Sequence, residues 1–310
     1  MRPAASIILF TTLAGTAQGV LVCIAAALLA GAAPSPALLL SAVGGAELLL
    51  GIALAASSFP LGQKLRAWRS DAMWRTSGMS REVNALPSLL AAAAMWWLSL
   101  WAGSASQAWA VLVIVLALAL WHCTAMIYAC LRFVQEWAHP LTVVNYTLLG
   151  LSSGLFATGA LAVTLGERAF AQGLLPWAAA VTAAAGLTRG CSLLRNALLK
   201  PRSTLQSATG VQAHRLEQKS MGMTGGSFNT REFFHGATMR ALRGVKLAFL
   251  LLTFAVPLLQ LWVAQAGDAR AWLLAAPLQY VGLLAERWFF FAQARHPQDL
   301  YHHVVSWAGL

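Results

Sequence analysis

Six ionisable side chains stand inside or at the edge of long apolar runs: Glu47, His122, Arg132, Arg189, Glu286 and Arg287. A charge placed in hydrocarbon costs about 2.5–3.5 kcal/mol on insertion scales, so each of these needs a partner or a task. Glu47, set among glycines and leucines, reads equally as a hydrogen bond between helices and as a proton relay. His122 reads as a satisfied interior histidine, because no second histidine occupies a matching position deep in another run to complete an axial pair. Cys23, Cys123, Cys130 and Cys191 lie in apolar stretches without CxxC spacing, so they read as buried structural thiols and encode neither a zinc nor an iron–sulfur ligand set. Three further segments combine an acid, arginines and aromatics: SSFPLGQKLRAWRSDAMWRTSGMSREV, HCTAMIYACLRFVQEW and GLLAERWFFFAQARHP. Singly, the first is explained by an interfacial aromatic belt with topology charges. Together, they hold what a ring bearing carbonyl oxygens, such as a quinone headgroup, requires: aromatic walls, a hydrogen-bond donor and a proton source.

The elements that must position these residues are membrane helices. Of 310 residues, 59% are hydrophobic and 10% charged, against about 45–50% and about 25% in soluble domains. The apolar residues gather in windows of about 20, the length of helix that crosses a hydrocarbon core of roughly 30 Å. The runs are continuous rather than alternating, which excludes a β-barrel. The first run is too long for the apolar region of a signal peptide and no clear cleavage site follows it, so it reads as helix one. The expected fold is therefore all-α, a polytopic bundle of eight transmembrane helices over about 4–30, 37–58, 83–103, 107–131, 143–165, 174–195, 246–265 and 270–292. It forms one domain, 1–310, with a long cytoplasmic loop at about 196–245.

Charge fixes the expected orientation. With eight spans, eighteen of the 21 lysines and arginines fall on the face that carries both termini, and only Arg168 and Arg270 on the other. The positive-inside rule makes the first face cytoplasmic. Removing one middle span would put the two long basic loops on opposite sides. The net charge of +11 is thus first a topology signal and second a hint of an acidic or phospholipid surface. The long loop carries Gly225, Gly226, Phe228, Phe233 and Phe234 near its end. It reads as a docking surface for a cytoplasmic protein, with a disordered loop as the alternative.

In their order along eight spans, LGQKLRAWRS, the SREV that follows it, the stretch from Tyr128 to Trp137 and AERWFFFA resemble the membrane anchor subunits of dimethyl sulfoxide reductase-type molybdoenzymes. KPRSTLQ and TREFFHG look closest to the anchors of cytoplasmic sulfite dehydrogenases within that family. The resemblance implies a complex in the bacterial inner membrane. Its molybdopterin subunit does the substrate chemistry, its iron–sulfur subunit relays electrons, and the anchor exchanges them with ubiquinone or menaquinone while holding no metal or haem. It further implies that Glu82 matches a glutamate involved in quinone binding, while the histidine that precedes Leu-Gly in the family is Pro60 here. The candidate quinone-binding or proton-relay residues are Glu82, Arg66, Trp68, Tyr128, Arg132, Trp137 and Glu286. Arg69, Arg75, Arg81, Arg231, Phe233 and Phe234 are the candidate docking residues. Positive loops facing the iron–sulfur partner favour sulfite oxidation feeding quinone. The alternatives are a quinol-oxidising anchor of a sulfoxide or polysulfide reductase, an anchor without quinone contact, and a transporter with a site near Glu47. The last predicts an internal repeat, and none is evident between the halves. No nucleic-acid partner is expected.

Overall fold

A computed structural model describes residues 4–59, 62, 64–104, 106–200, 202, 204–212 and 239–295. Among these the regular structure is helical. The helices are α1 (Ala5–Leu29), α2 (Pro36–Ser58), α3 (Gly78–Trp101), α4 (Gln107–Ala129), α5 (Pro140–Thr164), α6 (Arg168–Leu198), α7 (Leu205–Thr209), α8 (Met239–Leu250), α9 (Val256–Gln265) and α10 (Ala271–Ala292). A 3-10 segment, Lys64–Met73, precedes α3, and a π turn, Leu251–Ala255, joins α8 to α9 into one rod.

Seven helical stretches are long and apolar enough to cross a membrane: α1 to α6, and the rod over Arg240–Gln265. At 22 residues α10 is also long, about 33 Å at 1.5 Å per residue, but Gln279, Glu286 and Arg287 lower its hydropathy. The outer faces of the seven carry exposed Leu48, Val115, Trp177, Leu187 and Trp262, an apolar surface suited to lipid.

Four helices, α3, α5, α6 and α8, start three or more residues earlier than hydropathy predicts. Polar caps set the starts of α3 and α5, and a hydropathy window does not register them. Ser77 accepts from the Ser80 amide at the head of α3. Pro140 begins α5 behind His139, whose ring accepts from Leu141. α6 runs from Arg168 to Leu198. In consequence Glu82 lies within α3, one turn past its cap, rather than ahead of it.

α1 is the central helix, packed against α2, α4, α5 and α10. It crosses α5 at glycine on glycine: a Cβ on Gly19 would stand 2.1 Å from the Gly150 carbonyl oxygen, and one on Gly154 2.0 Å from the Gly19 carbonyl carbon. Backbones this close need small residues, the usual solution where lipid removes any hydrophobic drive between helices. Thr16 seals the crossing by donating to the Ser153 hydroxyl at 3.1 Å. A buried polar layer lies across the other half of the bundle. Ser152 and Thr182 share a hydrogen bond of 2.7 Å, and the Gln279 amide donates to Ser152 at 2.8 Å and to the Thr253 carbonyl at 3.3 Å. That carbonyl is the one Pro257, four residues on, cannot engage.

Candidate functional site

The start of α3 and the end of α4 bring Glu82 and Thr124 together, with the Thr124 hydroxyl donating to the Glu82 carboxylate. Glu82 is half-buried at this seam. Tyr128 is one helical turn beyond Thr124 and so shares its face of α4. Its ring stands at the centre of an aromatic cluster, 5.4 Å from Trp137, 5.8 Å from Tyr146, 5.6 Å from Phe290 and 5.3 Å from Phe291. Tyr128 and Tyr146 stack, whereas the others meet it edge to face, the arrangement the ring quadrupole favours. The Trp137 indole fixes the cluster by donating to the Phe290 carbonyl at 3.1 Å, and Thr142 holds the Trp137 carbonyl at 2.7 Å. Ile8 of α1 closes the underside. The cluster therefore knots together the start of α1, the end of α4, the start of α5 and the end of α10.

Behind Tyr146 lies an ion cluster. Arg189 of α6 places its Nε 2.8 Å from one oxygen of Glu286, and Arg287 approaches the other oxygen at 3.5 Å, with all three side chains at most 5% exposed. The Arg287 guanidinium also lies over the Tyr146 ring, 3.7 Å from its centroid. Arg189 lies over Phe249 at 5.6 Å, and Asn145 donates to Ser192 at 2.8 Å beside it. These groups enclose a cavity of about 10 Å³, the size of one water at most. Glu286 thus meets Arg287, which in turn lies over the Tyr146 ring of the aromatic cluster. The sequence marks each of the three ions but not their pairing, and it gives no prominence to Thr124 or Tyr146.

The remaining expected residues are dispersed. The 3-10 segment carrying Arg66, Trp68 and Arg69 packs along α3, with Arg66 and Arg69 exposed. Arg81 is engaged locally, donating to the carbonyls of Trp74 (3.0 Å) and Arg75 (2.7 Å), and Arg75 lies over Trp74. Arg132 is not in the aromatic cluster; with Arg195 and Arg202 it lines a separate cavity. Arg231, Phe233, Phe234 and Pro60 lie outside the described residues. His122 is exposed on α4 rather than interior, because residues 121, 124 and 125 take the inward face of that helix. Cys130 and Cys191 are likewise exposed, and of the four thiols Cys23 is buried. Glu47 is partly exposed on α2. Among the described residues no three His, Cys, Asp or Glu side chains group closely enough to hold a metal ion. His139, outside the spans, is held below the usual imidazole range, by burial first and then by Arg195.

The profile of the DMSO reductase anchor subunit (DmsC) family matches residues 1–291. The sulfite dehydrogenase C subunit of Allochromatium vinosum is 41% identical over 326 residues, covering 99% of this chain and 100% of that protein. The pairing of Glu82 with an aromatic cluster built from α1, α4, α5 and α10 thus sits in a chain that matches one family from its first helix to its last. The chain belongs to the DMSO reductase anchor subunit family, a multi-pass membrane anchor of an oxidoreductase complex.

Proposed function

We propose that this chain is the quinone-reactive anchor of a molybdopterin and iron–sulfur oxidoreductase, passing electrons from cytoplasmic sulfite oxidation to the membrane quinone pool. It does so as a single eight-span domain of the bacterial inner membrane with both termini and both partner subunits on the cytoplasmic side. The observation that carries the reading is Glu82, hydrogen-bonded to Thr124 at the membrane boundary beside the Tyr128 cluster. Reducing a quinone to a quinol takes two electrons and two protons. The electrons come from the iron–sulfur partner, which receives them as sulfite and water become sulfate and two protons on the molybdopterin subunit. At the ring, a carboxyl group at hydrogen-bond reach delivers protons to the carbonyl oxygens and is reprotonated from the cytoplasm. Thr124 holds that carboxyl in place. Tyr128 and Trp137 supply a rigid aromatic wall, and Arg66 and Trp68, on the segment along α3, border the headgroup on its aqueous side. Arg69, Arg75 and Arg81, with Arg231, Phe233 and Phe234, offer a basic and aromatic surface to the iron–sulfur subunit.

The 41% identity to a sulfite dehydrogenase subunit supports the direction and the substrate. The family's own name, that of a reductase anchor, favours the second reading, in which quinol is oxidised for an acceptor such as a sulfoxide. Sulfite-dependent quinone reduction by the purified complex decides between them. Glu82→Gln should abolish most of that activity while leaving assembly of the complex and sulfite-to-dye electron transfer intact. Full quinone activity in the variant would remove Glu82 from the mechanism.

A further inference from the structure

Arg132 follows α4, Arg195 lies in the last turn of α6, and Arg202 follows α6. Together with Gln135, Ala138 and Leu199 they line an open cavity of about 380 Å³, within the size range of ligand sites. One glutamine organises it. Arg195 donates to the Gln135 carbonyl at 3.0 Å and to Asn196 at 3.0 Å. In its satisfied orientation the Gln135 side chain accepts from Arg202 Nε at 3.0 Å and donates to the Lys200 carbonyl at 3.1 Å. Two guanidinium groups are thereby pre-set around the cavity, and Arg132 is exposed at its edge. Among the described residues the ion pairs are those of Glu286 with Arg189 and Arg287, so no described carboxylate lies within 4 Å of these three arginines.

We propose that this cavity binds the phosphodiester headgroup of an anionic phospholipid. Three guanidinium groups converging on one space without a carboxylate among the described residues match a phosphate, whose oxygens accept from the planar forks. The location selects lipid as its source. Leu194 and Leu198, on the same turns of α6 as Arg195 and Leu199, are 69% and 81% exposed. An apolar strip for acyl chains therefore runs directly from a cationic pocket at the end of a membrane helix. A carboxylate of a docked protein would match the charge but leave those leucines unused. Basic pockets between helices at this depth suit acidic lipid headgroups.

The full-length chain is purified with its co-purifying partners in mild detergent. Bound phospholipid is quantified by mass spectrometry before and after exchange into nanodiscs of phosphatidylcholine alone or with phosphatidylglycerol. Arg132→Gln removes a side chain that makes no hydrogen bond among the described residues, so the fold is retained, and Arg132→Gln with Arg202→Gln removes two charges. Anionic lipid retention should fall about five-fold for each arginine lost, with phosphatidylcholine unaffected and Arg132→Lys, which keeps the charge but not the fork, retaining more lipid than Arg132→Gln and less than the parent. Unchanged anionic lipid in the double variant would overturn the assignment. So would a double variant that keeps its lipid but releases the iron–sulfur subunit, which would transfer the cavity to a protein carboxylate.

Discussion

Glu286 is the one acid among three buried ions, and its removal should be far more costly than removal of either base. Glu286→Gln leaves Arg189 and Arg287, both at most 5% exposed, without a counter-charge and facing one another. Breaking a buried pair in this way costs about 3–5 kcal/mol. Arg189→Met leaves Glu286 balanced by Arg287 and forfeits one charged contact of 2.8 Å, a loss of about 1.5–3 kcal/mol. Adding Arg189→Met to Glu286→Gln removes one of the two stranded cations, so the double variant should be more stable than Glu286→Gln alone. Stability can be read from reversible unfolding in mixed micelles over increasing SDS mole fraction. A loss of 3 kcal/mol is about a 150-fold change in the folding equilibrium, well within the reach of that titration. If Glu286→Gln costs no more than Arg189→Met and the double variant is the sum of the two, the three ions do not act as a unit.

The glycine crossing gives a paired test. Gly154→Ala should destabilise by about 1–3 kcal/mol, because its Cβ would meet α1 backbone, whereas Gly45→Ala, whose Cβ meets nothing within 4 Å, should leave the unfolding curve unchanged or slightly raised. Gln279→Leu strands the Thr253 carbonyl in the polar layer, while Ser152 keeps its bond to Thr182, and should cost about 1–3 kcal/mol in the same assay. Tyr146→Phe keeps the ring under Arg287 and should be close to neutral, while Tyr146→Leu should lose about 0.5–2 kcal/mol of cation–π attraction. At His139, whose neutral ring caps α5 and whose pKa is depressed in the fold, the cap contribution is complete above the unfolded value near 6.5. It is lost as pH falls through the lower folded value, and thermal unfolding of His139→Asn should show a flatter profile across that window.

The helices were legible in the sequence because twenty-residue apolar windows have few other uses, and the eight expected segments each fall on a helix. The starts of α3, α5 and α6 were not, since Ser77, Pro140 and Arg168 belong to polar stretches that a hydropathy window assigns to the loops. Arg189, Glu286 and Arg287 drew attention one by one. Their union depends on how α6 and α10 are rotated about their axes, and a chain separation of about a hundred residues carries no trace of that. His122 shows the same limit in reverse: in a helix apolar all round, such as α4, periodicity does not say which face is inside. Glu82 stood out through family resemblance, but the hydroxyl that holds it, Thr124, looked like any other threonine in an apolar run.

The π turn at Leu251–Ala255 resets the phase of its rod. Phe249 and Phe254 are five residues apart and would diverge by roughly 140° on a regular α-helix, yet both are buried in the same cluster with Leu283 and Phe289. Gly282 makes room for the widened turn, since a Cβ there would stand 2.6 Å from the Thr253 amide nitrogen. The rod therefore behaves as an ordinary helix with one supernumerary residue, and that residue can be excised without rotating the halves against each other. A relative one residue shorter between Leu250 and Val256 would carry a straight helix there with its inward faces still in phase. It would also have no need of glycine at the position of Gly282.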